Sequence, residues 1–168
     1  MQSNNELIEF KKFCREITNI SGENIRKYFR SDLNVETKSD DSPVTIADKS
    51  TEEKLREIII KEYPDHGILG EEFGKHNESA EYQWILDPID GTKSFVCGAV
   101  TFGTLIALMK NGVPILGVFH QPILNEFLIG DSISTQLNGK NVKVKDVASK
   151  MNTGAKYDSK VFKKSVGL

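Results

Sequence analysis

Asn111-Gly112 lies between two apolar, β-rich runs, Thr101 to Met109 and Val113 to Phe119. Asn-Gly between such runs is a strong short-range hairpin signal, because both residues accept the positive φ of a turn that matches strand twist. The pair commits this part of the chain to an antiparallel sheet. Other short runs join it. His66 to Leu69 leads into Gly70-Glu71-Glu72, Tyr82 to Leu86 ends at Asp87-Pro88, and Glu126 to Ile129 follows a turn over Pro122 to Asn125. Asn141 to Lys145 alternates as a strand should.

The beginning of the chain has a different period. Phe10, Phe13, Cys14 and Ile17, then Ile25, Tyr28 and Phe29, recur at helical spacing over residues 4–30. Ser3 and Glu6 have the form of a capping box, and Gly22 marks an expected bend or break. Residues 31–45 read as a polar connection. A second helix is expected from Thr45, its N-cap, with Leu55, Ile58 and Ile59 inward and an end before Pro64. Two helices followed by a largely antiparallel sheet make the class α+β.

Composition narrows the classes further. The 168 residues are 38% apolar and 27% charged, which suits a folded globular chain rather than a disordered one. The longest apolar stretch, Ala99 to Met109, is far short of the roughly 20 residues that span a bilayer. The N-terminus has no apolar segment of the secretory kind. Cys14 and Cys97 lie far apart, which predicts reduced thiols and a cytoplasmic protein without a zinc site or disulfide framework. His66, His76 and His120 have no metal-ligand spacing and read as structural or exposed.

The net charge of −2 hides an asymmetry. Residues 1–129 hold 14 Lys and Arg against 21 Asp and Glu, whereas residues 130–168 hold 8 Lys, no Arg and 3 Asp. That tail has only Tyr157 and Phe162 as aromatics, too sparse for a base-stacking platform, so no nucleic-acid partner is expected.

The strongest local signal for chemistry is Trp84-Ile-Leu-Asp87-Pro88-Ile89-Asp90-Gly91-Thr92. An apolar strand is expected to end abruptly there in two carboxylates three residues apart, with Pro88 stiffening the turn. Such carboxylates suit one hard cation or a bridged pair. The amides of Gly91 and Thr92 would cradle a phosphate if a helix starts there. Glu71 and Glu72 at a strand end read alone as solvated acids, but beside a metal turn a Glu becomes a ligand or water activator. Taken singly, Asp48 is an ordinary first-turn acid, Lys38 a surface lysine, and Cys97 a packing residue rather than a nucleophile. No P-loop, dinucleotide-binding or nucleophile-elbow motif is present.

SPVTIADKSTE (42–52), GEE (70–72) and WILDPIDGT (84–92), in this order, resemble the inositol monophosphatase superfamily of Mg²⁺-dependent, lithium-sensitive phosphatases. The resemblance covers residues 5–145. GTKSFVCG (91–98), TFGTLIAL (101–108) and PILGVFHQPILNEFLIG (114–130) look most like its bacterial histidinol-phosphate phosphatase branch. Related enzymes act on inositol phosphates or 3′-phosphoadenosine-5′-phosphate.

The resemblance implies a role for each matched position. Glu71, Asp87 and the Ile89 carbonyl would bind a first Mg²⁺, and Asp87 and Asp90 a second, with two or three ions in complete members. Thr92, hydrogen-bonded to Asp48, would help Glu71 orient the attacking water. Gly91 and Thr92 would hold the substrate phosphate, with Lys38 in a nearby loop. The substrate would be a small phosphorylated alcohol, histidinol phosphate or inositol monophosphate, no membrane would be involved, and the one protein partner considered is a second copy, in a homodimer.

The resemblance also implies something missing. Family members continue into a second α/β half with a Trp-Asp metal-binding motif, whereas Trp84 is the only tryptophan here. The expected architecture is therefore the N-terminal half of an αβαβα layered sandwich, two long helices on a largely antiparallel sheet. Residues 1–130 would form the metal-binding domain, and residues 131–168 the start of the second half and a basic tail. Apolar surface should be exposed on one sheet edge and one helical face. The alternative to an enzyme is a non-catalytic remnant or dimerising fragment.

Overall fold

A computed structural model describes residues 4–32, 35–37 and 43–143. Helix α1 spans Asn4–Tyr28. Strands β1 (Val35–Thr37) and β2 (Pro43–Thr45) form a small antiparallel pair. Helix α2 (Ile46–Glu62) follows directly. Then come β3 (Gly67–Gly70), β4 (Gly74–His76), β5 (Tyr82–Asp90) and the short helix α3 (Thr92–Val96). Strands β6 (Gly103–Lys110), β7 (Val113–Gln121), β8 (Glu126–Gly130), β9 (Thr135–Leu137) and β10 (Lys140–Asn141) complete the order. The main sheet runs β10-β9-β8-β7-β6-β5-β3-β4, and every neighbouring pair is antiparallel except β3 and β5. The class is α+β, as expected.

The helices lie against one face of this sheet. Phe10, Phe13, Cys14 and Ile17 of α1 and Leu55 and Ile59 of α2 meet Trp84, Leu86, Ile106, Leu108, Leu116, Val118, Phe127 and Ile129 in one core. Ile58 packs at its margin. Each buried Leu, Ile or Phe contributes about 1.5–3 kcal/mol. Trp84 is wholly enclosed, with Phe10, Phe13, Tyr63 and His66 around its ring. Its Nε1–H donates to His66 Nδ1 at 3.1 Å. Burial holds His66 below its ordinary pKa, which keeps that nitrogen an acceptor.

The hairpin turns as its sequence requires, with φ 49° at Asn111 and 76° at Gly112. Gly22 is a correction. α1 passes through it without a break, and its absent side chain admits the sheet instead. A Cβ there would lie 2.6 Å from His120 Cε1. The polar connection at 31–45 is also corrected, because it contains β1 and β2. These strands are too short to show a period. β9 was not foreseen, and of the strand read at Asn141 to Lys145 only Asn141 lies in β10, which starts at Lys140, while residues 144–145 lie outside the described residues. Ser3 and the residues after 143 lie outside the described residues.

Cys14 is buried, and burial pushes its thiol well above its ordinary pKa. Cys97 is exposed, so it does not pack as expected. His66 and His120 are structural and His76 is exposed. Large exposed apolar residues include Ile8, Ile46 and Ile60 on the helices and Ile133 near β9. Among the described residues, no helix is long and apolar enough to cross a membrane.

α2 begins with a complete capping box. Thr45 Oγ1 accepts from the Ala47 N–H at 3.1 Å, and Asp48 Oδ2 accepts from the Thr45 N–H at 2.8 Å. Thr45→Ala should cost about 0.5–2 kcal/mol, typical of a lost N-cap. At about 2–4 °C per kcal/mol for a chain of this size, a melting curve will resolve it. An unchanged midpoint would show that the cap contributes nothing.

Candidate active site

The parallel pair β3–β5 sets the geometry. Its register opposes Gly70 to Leu86, so the next residues in step are Glu71 and Asp87. The Glu71 N–H donates to the Leu86 carbonyl at 3.1 Å, which extends the pairing by one residue. Two acids therefore leave the same end of the sheet side by side.

β5 does not stop at Asp87 as the sequence suggested. It continues to Asp90, with a register shift against β6 between Asp87 and Asp90. Pro88 sits in this bulge, where a strand tolerates a residue with no N–H. Its carbonyl accepts from Thr104 Oγ1 at 2.9 Å. The sharp change of direction comes at Gly91, whose φ is 90°. A Cβ at Gly91 would also stand 3.0 Å from the Thr101 carbonyl oxygen. α3 then starts at Thr92, and its Phe95 N–H closes back on the Gly91 carbonyl at 3.1 Å.

The start of α2 supplies the opposite wall. Asp48 is buried and holds Thr45 through Oδ2. Its Oδ1 accepts from Thr92 Oγ1 at 3.3 Å, and the same hydroxyl reaches the Ile89 carbonyl at 3.1 Å. Burial raises the Asp48 pKa, while the hydrogen bonds from Thr45 and Thr92 work against the rise. Asp48 is thus more than a first-turn acid, because it ties α2 to the start of α3.

Asp87 is the electrostatic centre. The residue is half-buried, but its Oδ1 is fully enclosed and has no hydrogen-bond partner. Burial, then Glu71, then Asp90 and Asp48, push its carboxyl up to about 9. Among the described residues, no three His, Cys, Asp or Glu converge tightly enough to cage a metal on their own. The carboxylates surround Asp87 without closing on one point. An enclosed carboxyl oxygen without a partner, amid three further acids, still fits a hard cation. Mg²⁺ in particular binds through one or two carboxylates and keeps several waters.

The structure brings Asp48, Glu71, Asp90 and Thr92 close around Asp87, and Gly91 beside them is exposed. The Ile89 carbonyl accepts from Thr92 Oγ1 at 3.1 Å. Lys38 lies outside the described residues. One residue was missed. Glu52 of α2 is fully buried, and its carboxylate binds the backbone just after Glu71. The available signal was its spacing. Asp48, Glu52, Leu55 and Ile59 share the buried face of one helix.

A sequence model of the inositol monophosphatase family matches residues 6–164. The chain belongs to the inositol monophosphatase family. That match reaches beyond residue 145, into the Lys-rich end where motif resemblance fades. The chain is 49% identical over 146 residues to the "Bifunctional phosphatase IMPL2, chloroplastic" of Arabidopsis thaliana, covering 85% of this chain and 42% of that protein. It is 38% identical over 149 residues to a histidinol-phosphatase of Chlorobaculum parvum, covering 88% and 58%. An IMPase structure from Thermotoga maritima superposes with a TM-score of 0.75 at 33% identity, covering 81% of this chain and 54% of that one. The chain thus spans about half the length of these relatives, and its fold matches the N-terminal part of the family fold.

Proposed function

We propose that this chain carries the cation site of a phosphomonoesterase that hydrolyses a small phosphorylated alcohol, histidinol phosphate first and inositol monophosphate as the alternative. The observation that carries this reading is the enclosed, unpartnered Oδ1 of Asp87 among Glu71, Asp90 and Asp48. Kinship to proteins named histidinol-phosphatase and inositol monophosphatase supports the substrate class. Mg²⁺ would be held by Glu71, Asp87, the Ile89 carbonyl and Asp90. When bound, it would neutralise phosphate charge and act as a Lewis acid on a phosphoryl oxygen.

The chain's own groups would do the rest. Thr92 Oγ1 has its proton shared between Asp48 and the Ile89 carbonyl, so toward a further partner it acts as an acceptor. A water there would be oriented for in-line attack, and exposed Glu71 stands ready to take its proton. The amides of Gly91 and Thr92 would hold the phosphate oxygens, with Lys38 as a further substrate contact. The water oxygen would bond to phosphorus as the bond to the alcohol oxygen breaks, the departing alkoxide would take a proton from solvent water and leave as the alcohol, and Glu71 would return its proton to solvent.

The span of about half the relatives' length favours a second reading, a non-catalytic cation-binding or dimerising unit that does not turn over. One assay separates the two. Phosphate release would be measured with Mg²⁺ and histidinol phosphate, inositol 1-phosphate or 3′-phosphoadenosine-5′-phosphate, with Asp87→Asn as control. The first reading expects release well above the control, greatest with histidinol phosphate. Release equal to the control, with cation binding intact, leaves the second reading.

A further inference from the structure

Glu52 is a buried carboxylate that the reaction outlined above does not use. It lies one turn after Asp48 on α2, and its side chain is wholly removed from solvent. A charge there is costly unless it is fully partnered. Glu52 Oε2 accepts from the Glu72 N–H at 2.7 Å, and Oε1 from the Phe73 N–H at 3.1 Å. Arg56 Nε adds a bond to Oε1 at 2.8 Å, and its Nη2 donates to the Gly74 carbonyl. These partners belong to the turn after β3, to the first residue of β4 or to the next turn of α2.

The turn so held is the one that presents Glu71. Its own N–H is fastened to β5 at Leu86, and the next two N–H groups are fastened to Glu52. The carboxylate also presses on the backbone before the acid. A Cβ at Gly70 would stand 1.8 Å from Glu52 Oε1, so a side chain at that position would have to displace the carboxylate. One face of α2 therefore grips both sides of the site. Asp48 grips Thr92, and Glu52 grips the two residues that follow Glu71 while packing against Gly70 before it.

We propose that Glu52 is a positioning residue that fixes the Glu71–Phe73 turn and so holds the Glu71 carboxylate against Asp87 for cation binding. This rests on the cation site proposed above. Groups that orient metal ligands in this way, when removed, typically cost 10- to 100-fold in metal affinity.

The test uses the full chain and Mn²⁺ alone, followed by the paramagnetic signal of the free ion. Parent, Glu52→Gln, Arg56→Gln and Asp87→Asn are compared, with thermal melts of each cation-free protein. Glu52→Gln preserves shape but turns an amide N–H₂ toward donors. It should bind Mn²⁺ about 10- to 100-fold more weakly while still folded. Arg56→Gln should show a smaller loss in the same direction. A merely structural Glu52 would lower the melting temperature and leave the Mn²⁺ affinity of the folded chain unchanged, and that result overturns the proposal. If Glu52→Gln does not fold, an unchanged affinity in Arg56→Gln overturns it. If Asp87→Asn abolishes binding while Glu52→Gln keeps it, this proposal alone fails. If the parent binds no Mn²⁺, or Asp87→Asn binds as the parent does, the cation site fails and this proposal with it.

Discussion

Asp87→Asn should stabilise the cation-free chain, and saturating Mg²⁺ should reverse the order of the two proteins. The folded state raises the Asp87 pKa from 3.8 to about 9, through burial first and then the neighbouring acids. The folded chain therefore binds a proton that the unfolded chain releases between those values. The stability linked to that proton is fully present below about pH 4 and is lost as pH rises through about 9. Asn removes the titration. The gap between variant and parent should be small near pH 4 and widen toward pH 9. Each tenfold difference in proton affinity between the folded and unfolded chain corresponds to about 1.4 kcal/mol. Recovering one or two such factors of ten at pH 8, with chelator present, gives roughly 3–10 °C for a chain of this size. Mg²⁺ at about 100 times its dissociation constant would return about 2.7 kcal/mol to the parent, which keeps the ligand, and little to the variant. Melting curves at pH 4.5, 6.5 and 8.5, with chelator or Mg²⁺, check both halves. Equal midpoints with chelator at pH 8.5 would sink the account of Asp87 as a frustrated charge.

Trp84→Ala should be the most damaging single change in the core. The side chain is wholly enclosed, ringed by Phe10, Phe13, Tyr63 and His66. Truncating a large buried aromatic costs about 3–5 kcal/mol. The variant also removes the donor to His66 Nδ1, which adds the cost of an unsatisfied acceptor if water does not enter. The expected result is a melting temperature roughly 6–20 °C lower, or no cooperative transition. Because Trp84 is the only tryptophan, unfolding should be followed by circular dichroism rather than fluorescence. A loss of about 1 kcal/mol or less, the size of an average substitution, would mean that the aromatic cluster is not the centre of the core.

Local chemistry made part of this molecule readable from its residues alone. Asn111-Gly112, the Thr45 cap and the helical spacing through Ile17 each act within a few residues, and each appears where expected. The six residues from Asp87 to Thr92 pointed to the site for the same reason. What was not readable depends on neighbours distant in sequence. Pro88 looked like a strand stop because a lone proline forbids a ladder bond, and only pairing with β6 reveals the bulge that accommodates it. Gly22 looked like a bend, because nothing local shows that His120 will press against it. Glu52 was not singled out, because its partners, the Glu72 and Phe73 amides, lie 20 and 21 residues further on.

The parallel pairing of β3 with β5 also governs which length changes the chain can accept. Glu71 and Asp87 meet because each is one step beyond an opposed pair, Gly70 and Leu86. Their alignment is counted along the strands, not around the intervening loop. The chain leaves through β4 and returns through residues 77–81 before it enters β5. Residues added in that return stretch would enlarge a surface loop at a small cost in closure entropy and leave the acids aligned. One residue added within β3 alone would turn Glu71 to the other side of the sheet. Natural or engineered variation in loop length thus belongs at 77–81, while the strand from Gly67 to Gly70 must keep its count.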